Sequence, residues 1–159
     1  MSSIDNNLKK LGIILPTPAA PLANYVPAAV TGNLLVISGQ LCLNAEGKLD
    51  EAHRGKVGDN VSLEAGQAAA RLCAINVLAQ VRVTLQGDLG RVRRCVRLGG
   101  FVNATPTCDS VPQVMNGASN LMVDILGDIG RHARSTVGVA QLPLDCAVEV
   151  EAMFEIALN

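Results

Sequence analysis

The chain reads as an α+β protein, a two-layer sandwich in which two helices lie on one face of a mixed sheet. Three features predict this. Residues from Ser62 to Leu85 place small and aliphatic side chains at helical spacing, and residues from Ala147 to Ala157 alternate apolar and polar with period two. The elements also run in the order hairpin, helix, strand, helix, strand, strand, and two helices against one sheet let every element bury its apolar side. At 159 residues the chain has the length of one ordinary domain, and a single domain over 1–159 is expected.

Met1 to Lys10 is polar and predicts a short helix or an unstructured tail. Pro16, Pro18, Pro21 and Pro27 make the next segment extended, because each disfavours helix at the residue before it. Tyr25 lies in this segment. Gly32-Asn33 marks a tight turn, and Leu34-Leu35-Val36-Ile37-Ser38 follows as a strand apolar on both faces, hence central or covered. It ends at Ser38-Gly39-Gln40, where a glycine lets the backbone approach a ligand or another chain. Asn44 to Asn60 is polar and suits a surface loop. In the long helix, Asn60 or Ser62 caps the start and Glu64 suits the positive end of the dipole. Ala65, Ala69, Leu72, Cys73, Ile75, Ala79 and Val83 give it an apolar face, and Gly87 ends it. Arg91 to Leu98 switches to period two, with Val92, Val96 and Leu98 opposite Arg91, Arg93, Cys95 and Arg97. A loop from Asn103 to Pro112 precedes a second helix, Val114 to Gly127. Strands from Ala133 to Ala140 and from Ala147 to Ala157 close the chain.

Composition excludes several functions. Only 2% of residues are aromatic while 49% are hydrophobic, so the core is built from Ala, Val, Leu and Ile, and the apolar surplus is of the kind an oligomer absorbs. Thirteen basic against 14 acidic residues is not the balance of a protein that grips phosphate backbones, and the lack of Trp argues against base-stacking platforms. Cys42, Cys73, Cys95, Cys108 and Cys146 form no CxxC pair, and His53 and His132 lie far apart, so no metal site is expected. Unpatterned thiols suit a reducing, cytoplasmic setting. Lys9-Lys10 and the apolar Leu11 to Leu15 imitate a signal peptide only until Pro16, and no apolar stretch reaches membrane-spanning length.

Three places carry candidate chemistry. The last strand sets Val148, Val150, Ala152, Phe154 and Ile156 on one face and Glu149, Glu151, Met153 and Glu155 on the other. That is first the pattern of a half-solvated strand; the functional alternative puts one carboxylate in a cleft to handle protons or water. Arg134 and Thr136 share a face of the preceding strand. A surface salt bridge is the commoner role for such an arginine, but its other role is to hold a carboxylate through two parallel hydrogen bonds. Arg91, Arg93 and Arg97 suggest nucleic acid, although a charge ladder with the glutamate strand fits the net charge better. His132 is either a general base or, more commonly at such a junction, a structural or solvated residue. No dinucleotide fingerprint, P-loop, nucleophile elbow or zinc-protease helix occurs, so no cofactor is suggested.

The run His132-Ala133-Arg134-Ser135, continuing through Leu142-Pro143 to Val148-Glu149-Val150-Glu151-Ala152, resembles the C-terminal signature of the YjgF/RidA family, formerly endoribonuclease L-PSP. Tyr25, Gly32-Asn33, Ser38-Gly39-Gln40, Phe101-Val102 and Asn116 match further motifs in family order, so the resemblance spans residue 20 to the end. It implies a chorismate-mutase-like fold and a homotrimer with pockets at the subunit interfaces. It also implies hydrolysis of 2-imino acids to 2-keto acids and ammonia without a cofactor. Carried onto this chain, Arg134 pairs with the substrate carboxylate and Glu149 handles water and the proton given to ammonia. Backbone groups of Gly39 and Thr136 hold the substrate beside Ser38, while Tyr25 and Asn116 shape the wall. The chain departs from the family pattern in Thr136 (often cysteine), in His132 (usually proline), in longer loops at Glu46 to Asp59 and Asn103 to Pro112, and in an extension over 1–15. A non-catalytic keto-acid-binding regulator using the same pocket is the alternative these departures leave open.

Overall fold

The computed structural model describes residues 2–18 and 24–158. Five strands, β1 (Ala28–Thr31), β2 (Leu34–Leu41), β3 (Val92–Asn103), β4 (Ala133–Val139) and β5 (Val148–Ile156), make one sheet in the order β1-β2-β5-β3-β4. Only β3 and β4 run parallel. A parallel pair needs a crossover, and the short α3 (Val111–Val114) with α4 (Asn116–Leu126) supplies it. Helix α2 (Leu63–Thr84) packs against α4, β2 and β5. The mixed α+β architecture is the one expected; β2 is an inner strand between β1 and β5, with Leu35 and Ile37 buried under the helices and Val36 half-buried on the other face.

The sequence explains the ends of α2. Ser62 caps it, its hydroxyl accepting from Ala65 N–H at 3.1 Å, and Glu64 and Arg82 sit at the dipole ends that favour them. The buried face is broader than the expected stripe. Ala70, Ala74, Val77, Leu78 and Val81 are buried, while Val83 is 58% exposed. The sheet covers one side of the helix and α4 another, so two adjacent stripes are needed. Gly117 permits this closeness: a β-carbon there would overlap the backbone carbonyl of Gln67.

Three local expectations need correction. β3 continues beyond Leu98 to Asn103, because Gly99 and Gly100 form no turn. A β-carbon on Gly99 would come within 2.6 Å of Glu151, and one on Gly100 would overlap Met115. The glycines are flat strand positions roofed by those side chains. Two register shifts, at Val92/Arg94 and Cys95/Arg97, break the period of two, so Cys95 enters the core and Val96 is 36% exposed. Finally, the second helix divides at Met115 into α3 and α4.

The N-terminal segment forms a helix, α1 (Ser3–Lys10), closed by a Ser2–Asp5 capping box. Ile4 and Leu8 are buried, and Asn7 donates to the Ile125 carbonyl at 2.9 Å, docking α1 on α4. Of the extended segment from Pro16 to Pro27, residues 19–23, with Pro21, lie outside the described residues. No helix among the described residues is long and apolar enough to cross a membrane.

Candidate functional site

Arg134 sits on β4 opposite Leu98, which turns its side chain towards the helix side of the sheet. There Nη1 donates to Asn116 Oδ1 at 3.0 Å and to Ser119 Oγ at 3.1 Å, and Nη2 donates to the Pro112 carbonyl at 3.2 Å. Asn116 and Ser119 are three apart on α4 and so present one face. Three of five N–H donors are thereby fixed by uncharged acceptors. The ion pairs among the described residues are Arg54–Glu51, Arg97–Glu151 and Arg131–Asp128, none of which involves Arg134. The surface-salt-bridge role that the sequence allowed is therefore not what the side chain does here. Two residues along β4, Thr136 Oγ1 is buried with no hydrogen-bond partner.

Glu149 lies at the start of β5, between Leu41 of β2 and Phe101 of β3, on the opposite, uncovered face. Its carboxylate lies against Gly39, where a β-carbon would overlap Oε1. β2 shifts register between Ile37 and Gln40, which places the glycine there. Burial, with Glu151 nearby, raises the Glu149 pKa above the usual glutamate value. Ser38 holds the adjoining segment: its hydroxyl donates to the Val26 carbonyl at 2.8 Å and its N–H to that of Pro27 at 3.0 Å. This ties Tyr25, 57% exposed, to the end of β2.

The seven candidate residues therefore fall into two groups. Arg134, Thr136 and Asn116 are together, and Glu149, Gly39, Ser38 and Tyr25 are together. The two groups do not meet within one chain. Arg134 and Glu149 are two strands apart, about 10 Å, and offset by about three residues along the strands, again about 10 Å. Their side chains also leave opposite faces of the sheet.

Sequence reading missed other lining groups. Tyr25 and Gly39 open onto a cavity of about 330 Å³ that Gln40, Asn76 and Gln80 also line. Asn76 Nδ2 donates to the carbonyls of Leu41 and Leu43 at 2.9 and 3.0 Å, capping the strand beyond its pairing with β1. The signal was present: Asn76 and Gln80 are amides four apart within an apolar helix. Ser119 was visible in the same way, three residues after Asn116. Of the arginine row, Arg97 pairs with Glu151 at 2.9 Å, as a charge ladder requires. Arg91 instead donates to the Ala157 carbonyl at 2.9 and 3.2 Å, and Arg93 is exposed. Among the described residues no group of three His, Cys, Asp or Glu is placed to hold a metal ion.

Comparison with known proteins follows the same residues. Positions 5–156 match the sequence profile of a family described as "YjgF/chorismate_mutase-like, putative endoribonuclease". Protein TCP17 of Trypanosoma cruzi is 47% identical over 151 residues, covering 94% of this chain and 92% of that protein. Among solved structures, the protein Atu1372 of Agrobacterium tumefaciens, of unknown function, superposes with a TM-score of 0.88 at 46% identity, covering 98% of this chain and 94% of the other. A "putative endoribonuclease" of Shewanella oneidensis superposes with a TM-score of 0.91 at 33% identity, covering 98% of this chain and 100% of the other. With this fold, these relatives and a match over nearly its whole length, the chain belongs to the YjgF/chorismate-mutase-like family.

Proposed function

We propose that the protein hydrolyses small 2-imino acids to 2-keto acids and ammonia, in pockets formed between the subunits of a homotrimer. The observation that carries this reading is the state of Arg134. It is exposed, held by three uncharged acceptors, and free of any carboxylate among the described residues. Its remaining donors are Nε–H and one Nη2–H, and two N–H groups of a guanidinium are what a carboxylate needs. Holding the charge in place beforehand lowers the cost of binding a small acid.

Glu149 supplies the second function. A carboxyl whose pKa is raised by burial takes a proton from water more readily near neutrality than an ordinary glutamate. Water adds to the carbon of the protonated imine as Glu149 removes its proton. The resulting carbinolamine receives that proton on nitrogen; Glu149 then takes the hydroxyl proton as the C–N bond breaks, the ketone remains, and the departing ammonia carries the proton away as ammonium. Water is consumed and no electrons change hands.

A homotrimer reconciles the two groups. The uncovered sheet face carries Val36, Phe101 and Met153, half-buried, beside the 50% exposed Val137, an apolar surface interleaved with Arg97 and Glu151. Packing that face between copies brings the Arg134 edge of one subunit to the Glu149 cleft of the next.

The test generates 2-iminobutanoate in place with an amino-acid dehydratase and follows release of the keto acid. Acceleration by the protein is expected. If release is unchanged while the protein binds 2-oxobutanoate, the chain is a keto-acid-binding regulator; cleavage of RNA under the same conditions would favour a nuclease. Gly39→Ala refines the assignment. The added methyl displaces the Glu149 carboxylate, and a misplacement of about 1 Å costs on the order of 10²-fold in kcat. Only the end of a side chain must move, so the thermal midpoint should stay close to that of the wild type.

A further inference from the structure

His132, which no part of the proposed reaction uses, stands at the end of a hydrogen-bond chain that terminates on Arg134. Its Nδ1 lies 2.6 Å from the Gly130 carbonyl, which can only accept. The neutral ring therefore carries its proton on Nδ1, and Nε2 is left as an acceptor. Ser119 Oγ is 2.9 Å from Nε2 and donates its one proton there. The hydroxyl then turns its lone pairs towards Nη1 of Arg134 at 3.1 Å. Every link has one direction: Arg134 to Ser119, Ser119 to His132, His132 to Gly130. Burial, reinforced by the charge of Arg134 and opposed by the bond to Gly130, holds the imidazole pKa below its usual value and keeps the ring neutral.

We infer that His132 is a positioning residue for the carboxylate clamp, orienting the Ser119 hydroxyl so that it accepts from Arg134 and fixes the guanidinium. The inference rests on the reading of Arg134 as the carboxylate-binding group. Without the imidazole acceptor, the Ser119 proton has no fixed partner and the hydroxyl can turn it towards the cation. Asn116 and the Pro112 carbonyl still hold the side chain loosely, so the expected effect is partial.

Two measurements on the full chain decide the matter. The first is ligand-free: ¹⁵N NMR of the Arg134 guanidinium, reading rotation and solvent exchange of its Nη protons. In His132→Phe, which keeps a ring but no acceptor, these should speed up about fivefold to tenfold, the worth of one hydrogen bond. His132→Gln, whose carbonyl can reach the position of Nε2, should restore most of the wild-type rate. Ser119→Ala, which leaves the imidazole in place, should match His132→Phe and guards against a folding defect in the latter. The second is the Kd for 2-oxobutanoate, a stable product, expected to rise about fivefold to tenfold in both His132→Phe and Ser119→Ala. Unchanged Nη dynamics in Ser119→Ala and in a folded His132→Phe would overturn the positioning role, whatever the affinity. If the wild type binds no 2-keto acid, the carboxylate reading fails, and the NMR result still decides whether His132 orders Arg134.

Discussion

Arg134→Ala is expected to lower kcat/KM for imine hydrolysis by about 10²–10³-fold, the worth of two charge-assisted hydrogen bonds to a carboxylate. The same change should raise the Kd for 2-oxobutanoate by a comparable factor, because the clamp acts on bound acid as well as on the transition state. The fold should tolerate it. Arg134 lies exposed on an edge strand and bridges only to Asn116, Ser119 and Pro112, so a loss of about 1 kcal/mol in stability is expected. Arg134→Lys keeps the charge but not the paired donors, and should recover only a small part of the activity. Kinetics and calorimetry on the three proteins check this, with urea denaturation as the control.

Glu149→Gln is expected to act differently. It removes the proton carrier and not the binding charge, so kcat should fall by about 10²–10⁴-fold while binding of 2-oxobutanoate changes little. It should also stabilise the protein. Burial raises the Glu149 pKa above the ordinary glutamate value of 4.5, so between that value and the raised one the native state holds the proton while the unfolded chain has released it. Stability of the wild type therefore falls as pH rises through this window and stays lower above it. Glutamine carries no charge to bury. The difference in unfolding free energy between variant and wild type should thus grow from acid to neutral pH and then level off. A loss of kcat with a gain in stability at pH 7 is the signature of a carboxylate kept for chemistry at a cost to the fold.

Much of this was legible in the sequence, and the failures share a cause. The ends of α2 follow from Ser62, Glu64 and Arg82, which act within one turn, and β5 from an alternation that no bulge interrupts. Where a bulge intervenes the reading slips. Two register shifts put Cys95 inward, and β3 runs on past Leu98 through Gly99 and Gly100, which are roofed by Glu151 and Met115 from distant parts of the sequence. The candidate site was legible as a set of residues and not as a geometry. Arg134 and Glu149 stand in motifs of one signature, yet β4 joins the sheet as a parallel edge through a crossover helix, which turns Arg134 towards the helices. Nothing within residues 132–152 encodes that. The partners of Arg134 come from residues 112–119, and only the i, i+3 spacing of Asn116 and Ser119 hinted at them.

The central claim is that Arg134 of one copy and Glu149 of another make one site. It is proposed because within one chain their side chains leave opposite faces of the sheet, and subunit mixing tests it most directly. Arg134→Ala and Glu149→Gln chains, each inactive alone, would be co-refolded in equal amounts and assayed for keto-acid release. Random assembly leaves about a quarter of the sites with both residues intact, so activity should return to about a quarter of the wild-type value. No recovery from mixed oligomers, their assembly verified by mass spectrometry, would contradict the claim and place the chemistry within a single chain.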